Sequence, residues 1–319
     1  MKPFRKNVAI AIDGGGIRGL IATQALAMLE EAAGVAAHDI FRLAVGTSTG
    51  SIIAAGIAAG ISAAELNRLY LEMGEQVFPT TWRKRFFPLS RYRYPDIPLQ
   101  EALQVSFGDL RMGDLWAASP QTDLVITTFD LVTNRTLFVK PWKSEYADWP
   151  VAFAVRASCT VPTYFPVVEG RFIDGGVGSY ANPCYLAAYE AAVCLEWDPA
   201  ETTLISVGTG RDPYTYNPED GSNLFAWEWL KPIFGAFLQS AYDQQVHLVD
   251  SFFKELDFRR FQVNLREPIE MDDVSALDRL VAYGVRMGRM ILNDQTDVVQ
   301  DLIPKKASGP LTGKGNRYE

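Results

Sequence analysis

Twice before residue 60 the chain runs from a short apolar stretch, through a glycine-bearing turn, into a segment with helical spacing. Residues 8–12 lead into Asp13-Gly14-Gly15-Gly16 and a helical pattern over 20–33 that closes at Gly34, a natural C-cap. Residues 41–45 lead into Gly46-Thr47-Ser48-Thr49-Gly50 and a small-residue helix over 51–59. Short apolar runs without alternation suit strands buried on both faces. Strand, turn and helix repeated in this order predict βαβ units, hence an α/β fold with a mostly parallel central sheet.

The later segments fit that frame. Ser62 and Glu65 form a capping box for a helix over 63–77. Residues 79–98, dense in proline, arginine and aromatic rings, read as a long surface excursion. Strands are expected at 124–129 and 136–140, joined by a turn at Thr133-Asn134-Arg135. A helix at 151–158 precedes a short strand over 171–173 that ends at Asp174. A further helix covers 183–196, with Pro183 in its first turn, and 203–207 is another buried strand. Beyond a polar link at 211–223, helical patterns occupy 227–256 and 276–302, with a strand at 260–265 between them. These are too few to build a second sheet, so residues 1–304 read as one domain and 305–319 as a flexible tail.

Composition narrows the function classes. A net charge of −8 argues against a nucleic-acid partner. Cys159, Cys184 and Cys194 supply neither a disulfide framework nor a paired metal-ligand spacing, so no metal and no cofactor is expected. The apolar stretch after Lys2, Arg5 and Lys6 is too short for a signal peptide, and the longest weakly polar run, 51–64, falls short of the ~18 residues that cross a bilayer. The expectation is a cytoplasmic protein, able to sit at the inner membrane surface. Within 82–94, Arg83, Lys84, Arg85, Phe86 and Phe87 interleave cations with aromatics, which suits contact with anionic lipid headgroups and equally suits a loop that packs its rings inward.

Three segments carry chemistry. Gly46-x-Ser48-x-Gly50 between a strand and a helix is a nucleophile elbow, with Gly46 and Gly50 permitting the tight turn that lifts the serine hydroxyl clear. Gly14, Gly15 and Gly16 can converge backbone N–H groups on one anionic atom, with Arg18 beside them for a substrate phosphate or acyl oxygen. Gly14, Gly16 and Gly19 also match a dinucleotide fingerprint, but the second strand ends in Gly46, Thr47 and Ser48 instead of the acidic residue that would hold a ribose. Asp174, followed by Gly175 and Gly176, stands uncrowded at a strand's end. Of the two histidines, His38 precedes the second strand, at the end away from Ser48, and His247 lies inside a helical pattern. Asp174 is therefore the better base for Ser48, strengthened by partial desolvation.

Asp13-Gly14-Gly15-Gly16-Ile17-Arg18-Gly19, Gly46 to Gly50 and Asp174-Gly175-Gly176 resemble, in order, the three signature blocks of patatin-like phospholipases, and the stretch 157–166 resembles the segment before that family's aspartate. The resemblance covers about 8–210. It implies a three-layer α/β/α sandwich and hydrolysis of phospholipid or lysophospholipid acyl esters without calcium. It also implies Ser48 as nucleophile, Asp174 as base and Gly14, Gly15 and Gly16 as oxyanion donors. It admits two variants on the same scaffold: an effector or sensor whose hydrolase site a ligand gates, and an acyltransferase in which an alcohol replaces water. Cys159 stands where small residues are usual and is expected to be packed. Phe225, Trp227, Trp229, Ile233, Phe234 and Phe237 are candidates for an acyl channel or for ordinary core.

Overall fold

The computed structural model describes residues 1–79, 83, 89–119, 121–213 and 229–297. Its strands are β1 (Asn7–Ile12), β2 (Leu43–Thr47), β3 (Asp123–Asp130), β4 (Arg135–Val139), β5 (Phe172–Asp174), β6 (Thr202–Val207) and β7 (Asp257–Phe261). The main helices are α1 (Gly19–Ala33), α2 (Thr49–Ala58), α3 (Ala63–Val77), α4 (Ile97–Phe107), α5 (Val151–Cys159), α6 (Cys184–Tyr189), α7 (Leu230–Phe252) and α8 (Leu277–Leu292). The sheet runs in the order β4-β3-β2-β1-β6-β7. β2, β1, β6 and β7 join it in parallel with β3, whereas β4 and β5 pair antiparallel to β3.

The pleat of β1 shows how the layers form. Val8, Ile10 and Ile12 enter a large core with residues of α1, α2, α3 and α8, while Ala9 and Ala11 face Cys184 and Ala187 of α6 and Val249 of α7. A strand with apolar side chains on both faces must be covered on both, and the result is an α/β/α sandwich. Each fully buried isoleucine of β1 contributes ~2 kcal/mol. Among the described residues no helix is long and apolar enough to cross a membrane.

β5 sets up the site. β3 pairs with β4 along one edge. Along the other it pairs first with β2, as far as Thr47 opposite Thr127, and then with β5, from Asp174 opposite Thr128. β2 and β5 thus run head to head on one edge of β3, and their last residues meet. Asp174 is thus carried toward Ser48 by an antiparallel strand.

Several boundaries differ from expectation for physical reasons. β7 starts at Asp257, three residues ahead of the expected strand, because charged residues occupy its buried positions in pairs: Asp257 with Arg259, and Arg260 with Asp13. The 79–98 segment is not wholly a surface excursion, since the Tyr94 ring is fully buried and its hydroxyl donates to Asp272 Oδ2 at 2.6 Å. Helix α4 has no counterpart in the sequence reading. The expected tail, 305–319, lies outside the described residues.

Candidate active site

Ser48 joins β2 to α2 with φ 54° and ψ −128°, a conformation that a side-chain-bearing residue rarely adopts. Close backbone approach explains its flanking glycines. A Cβ on Gly46 would lie 2.1 Å from the Gly50 carbonyl oxygen, and one on Gly50 would lie 2.2 Å from that of Ile12. The turn is pinned from both sides. The Ser48 N–H donates to Ser158 Oγ at 2.9 Å, and the Ser48 carbonyl accepts from the Ser51 N–H at 2.8 Å and Ser51 Oγ at 2.6 Å.

Asp174 is the last residue of β5, with its N–H bonded to the Thr160 carbonyl at 3.0 Å. Its Oδ1 accepts from the Gly176 N–H at 2.8 Å, while Oδ2 is buried without a partner of normal hydrogen-bond geometry among the described residues. Burial pushes the carboxyl up to about 6, and the nearby Ser48 hydroxyl and the Gly176 N–H offset only part of that rise. A Cβ on Gly175 would meet Thr127 Oγ1 at 2.2 Å, so only glycine lets β5 close down here. Thr127 Oγ1 in turn lies 2.7 Å from Thr47 Oγ1, which donates to the Tyr180 carbonyl at 2.6 Å.

The glycine-rich loop passes beside this pair and corrects one expectation. The Gly14 N–H donates to the Ala181 carbonyl at 2.8 Å and is spent. The Gly14 carbonyl accepts from Thr209 Oγ1 at 2.6 Å and from the Tyr242 hydroxyl at 3.2 Å, so Gly14 anchors the loop. The N–H groups of Gly15 and Gly16 meet no acceptor among the described residues. Beneath the loop, Asp13 is fully buried and held by both Nη atoms of Arg260, whose Nη1 lies 2.8 Å from Asp13 Oδ1 and 2.8 Å from Ser206 Oγ. Arg18 pairs with Asp212 at 2.8 Å, which offsets its charge, while its buried Nε–H has no partner among the described residues.

Two spaces meet at Ser48. One is an apolar pocket of about 80 Å³ between α2, α3 and α4, walled by Ile52, Leu69, Val77, Leu99, Leu103 and Phe165 among others. The other is a larger and more polar cavity of about 1030 Å³ bordered by Gly14, Gly15, Arg18, Asp174 and the inner face of α7. Cys159 lies in the apolar wall, 3.7 Å from Ser51 Oγ, and burial pushes its thiol far above the ordinary range. Neither histidine borders either space: His38 sits at the amino end of β2 beside Asp39, and His247 Nε2 lies 3.3 Å from Ser251 Oγ. Among the described residues no group of three or more His, Cys, Asp or Glu side chains is placed to hold a metal ion.

The sequence reading missed four contributors: Ser158, Thr209, Tyr242 and Arg260. Only Ser158 carried a signal, through its place in the 157–166 stretch. Of the expected membrane contacts, Lys84, Arg85, Phe86 and Phe87 lie outside the described residues, and the Arg83 guanidinium stacks 4.6 Å from the Tyr92 ring centre. Phe225 and Trp227 also lie outside. The Phe234 side chain lies outside as well, and Trp229, Ile233 and Phe237 are exposed, at 42%, 45% and 71%, and join no core cluster among the described residues.

A family model described as "Patatin-like phospholipase" matches residues 10–188, more than half of the chain. The chain is 30% identical to "Intracellular phospholipase A2" of Caenorhabditis elegans, over 84% of its own length and 26% of that protein's. It is also 30% identical to the "85/88 kDa calcium-independent phospholipase A2" of Mus musculus, over 71% of its own length and 30% of that protein's. Identity to "Patatin-17" of Solanum cardiophyllum is 26%, over 86% of this chain and 82% of that one. The chain therefore spans less than a third of the first two relatives.

Proposed function

Because the chain belongs to the patatin-like phospholipase family, we propose that it hydrolyses the fatty-acyl ester of a phospholipid or lysophospholipid, without calcium, through an acyl-enzyme on Ser48. The observation that carries this reading is the position of Ser48 at the junction of an apolar pocket and a polar cavity. An amphiphile laid across that junction has its acyl chain on one side, its headgroup on the other and its ester at the hydroxyl.

Asp174 takes the Ser48 proton as Oγ attacks the acyl carbonyl carbon. A carboxyl with a pKa of about 6 is a stronger base than an ordinary aspartate and is still ionised at neutral pH. The negative charge on the carbonyl oxygen is received by the N–H groups of Gly15 and Gly16, each worth ~3 kcal/mol in the transition state. The N-terminus of α2 adds partial positive charge. Collapse expels the lyso-product, which takes the proton from Asp174. Water then gives a proton to the same carboxylate, attacks the acyl-enzyme and releases the fatty acid, and Ser48 recovers its proton. Arg18, through its unspent Nε–H, is the donor assigned to the substrate phosphate. Residues 1–304 act as one domain in this reading, supported by the pairing of β7 with β6.

The test is fatty-acid release from a phospholipid in the presence of a calcium chelator. Wild-type protein is expected to release it, and Ser48→Ala to lose at least ~10⁴-fold in kcat while remaining folded. Release by Ser48→Ala at the wild-type rate would overturn the assignment.

A further inference from the structure

Four arginines border the polar cavity, and each is already paired. Arg18 meets Asp212 at 2.8 Å, Arg93 meets Asp272 at 3.7 Å, Arg211 meets Asp297, and Arg260 meets Asp13. One carboxylate on the same wall is different. Asp243 accepts only from Gln239 Nε2, at 3.0 and 3.1 Å, and no cation lies within ion-pair distance among the described residues. Gln239, Asp243 and Val246 recur at helical spacing on the cavity face of α7. The adjacent Tyr242 hydroxyl bonds the Gly14 carbonyl, which ties this face of α7 to the loop beside Ser48. Apart from Asp174 at the reacting centre, Asp243 is thus a carboxylate on the lining that no described cation offsets, while each described arginine there already has a carboxylate.

We propose that Asp243 receives the ammonium of a zwitterionic headgroup, choline or ethanolamine, and that the site selects zwitterionic over anionic glycerophospholipids. This rests on the lipid-hydrolase reading. The phosphate between glycerol and ammonium falls to the Nε–H of Arg18, a donor whose net charge Asp212 has already offset. A purely anionic headgroup gains the same donor but brings no positive charge to Asp243, where neutral hydroxyls stand in place of the ammonium.

The experiment uses the full chain with dihexanoyl phosphatidylcholine and dihexanoyl phosphatidylglycerol, each below its micellar concentration. Monomeric lipids of equal acyl length remove surface charge and chain effects. Wild type is expected to favour the choline lipid in kcat/KM by about fivefold, the upper end for a half-exposed ion pair. Asp243→Asn should bring the ratio near one and Asp243→Lys should invert it, with circular dichroism confirming that both are folded. A ratio that is the same in all three proteins, or a wild type that favours the glycerol lipid, overturns the proposal. Failure of the underlying reading looks different: wild type would release no acid even from p-nitrophenyl butyrate. In that case binding of the two lipids, followed by tryptophan fluorescence, still decides the headgroup preference through the same three-protein ratio.

Discussion

Replacing Asp174 with asparagine is expected to remove activity and, at neutral pH, to stabilise the protein. Burial raises the carboxyl from 3.8 to about 6 in the folded state, and the unfolded chain returns it to the ordinary carboxylate value. Between those two values the folded protein retains a proton that the unfolded chain has released. Stability therefore falls as pH rises through the window, the reverse of a salt-bridged aspartate. A gap of about two pH units corresponds to ~3 kcal/mol lost at pH 7.5 and nothing below pH ~3.5. Asparagine carries no charge to desolvate. Its oxygen still accepts from the Gly176 N–H, and its amide nitrogen takes the place of the unpartnered Oδ2, toward the Ser48 hydroxyl. Thermal denaturation of both proteins from pH 4 to 8 is the assay. The variant should melt higher by ~5 °C at pH 7.5, and the difference should vanish toward pH 4. A variant that melts at or below wild type at pH 7.5, or a difference that does not depend on pH, would refute the reasoning. The same ionisation gives wild-type kcat/KM an acid limb centred at about 6.

Other outcomes follow from the same geometry. Gly16 has φ +59°, and a Cβ there would meet the Met271 carbonyl at 2.3 Å; Gly16→Ala should shift the loop and lower kcat by ~10²-fold, read in steady-state kinetics. Ser158→Ala leaves the buried Ser48 N–H without an acceptor and should cost ~1–3 kcal/mol in chemical denaturation, with Ser158→Thr retaining more of it. Arg260→Met strands the buried Asp13 carboxylate and should destabilise by ~3–5 kcal/mol, while Asp13→Leu combined with Arg260→Met should recover part of the loss; equal stability of the single and double variants would contradict the pairing.

The strand-turn-helix units were readable because unalternated apolar runs and closely spaced glycines are local signals. Ser48 and Asp174 could be singled out for the same reason: each stands at the end of a short apolar run beside glycines. Their meeting was not readable in its true form, because the direction of β5 depends on which edge of β3 remains free beyond Thr47. The start of β7 was hidden by buried charges, whose partners are distant in the chain. Gly14 looked equivalent to Gly15 and Gly16, and only the Ala181 carbonyl distinguishes it. The 157–166 stretch pointed to the neighbourhood of Ser158, but its role as acceptor for the Ser48 N–H is set by a contact 110 residues apart in the chain.

The most direct test of the account is the mass of the protein, and of its peptides, after reaction with a fluorophosphonate, in which an activated serine oxygen displaces fluoride from phosphorus. One adduct on the peptide containing Ser48, absent from Ser48→Ala and much slower to form in Asp174→Asn, is the expected result. An adduct on another residue, or unchanged labelling when Asp174 is replaced, would contradict it.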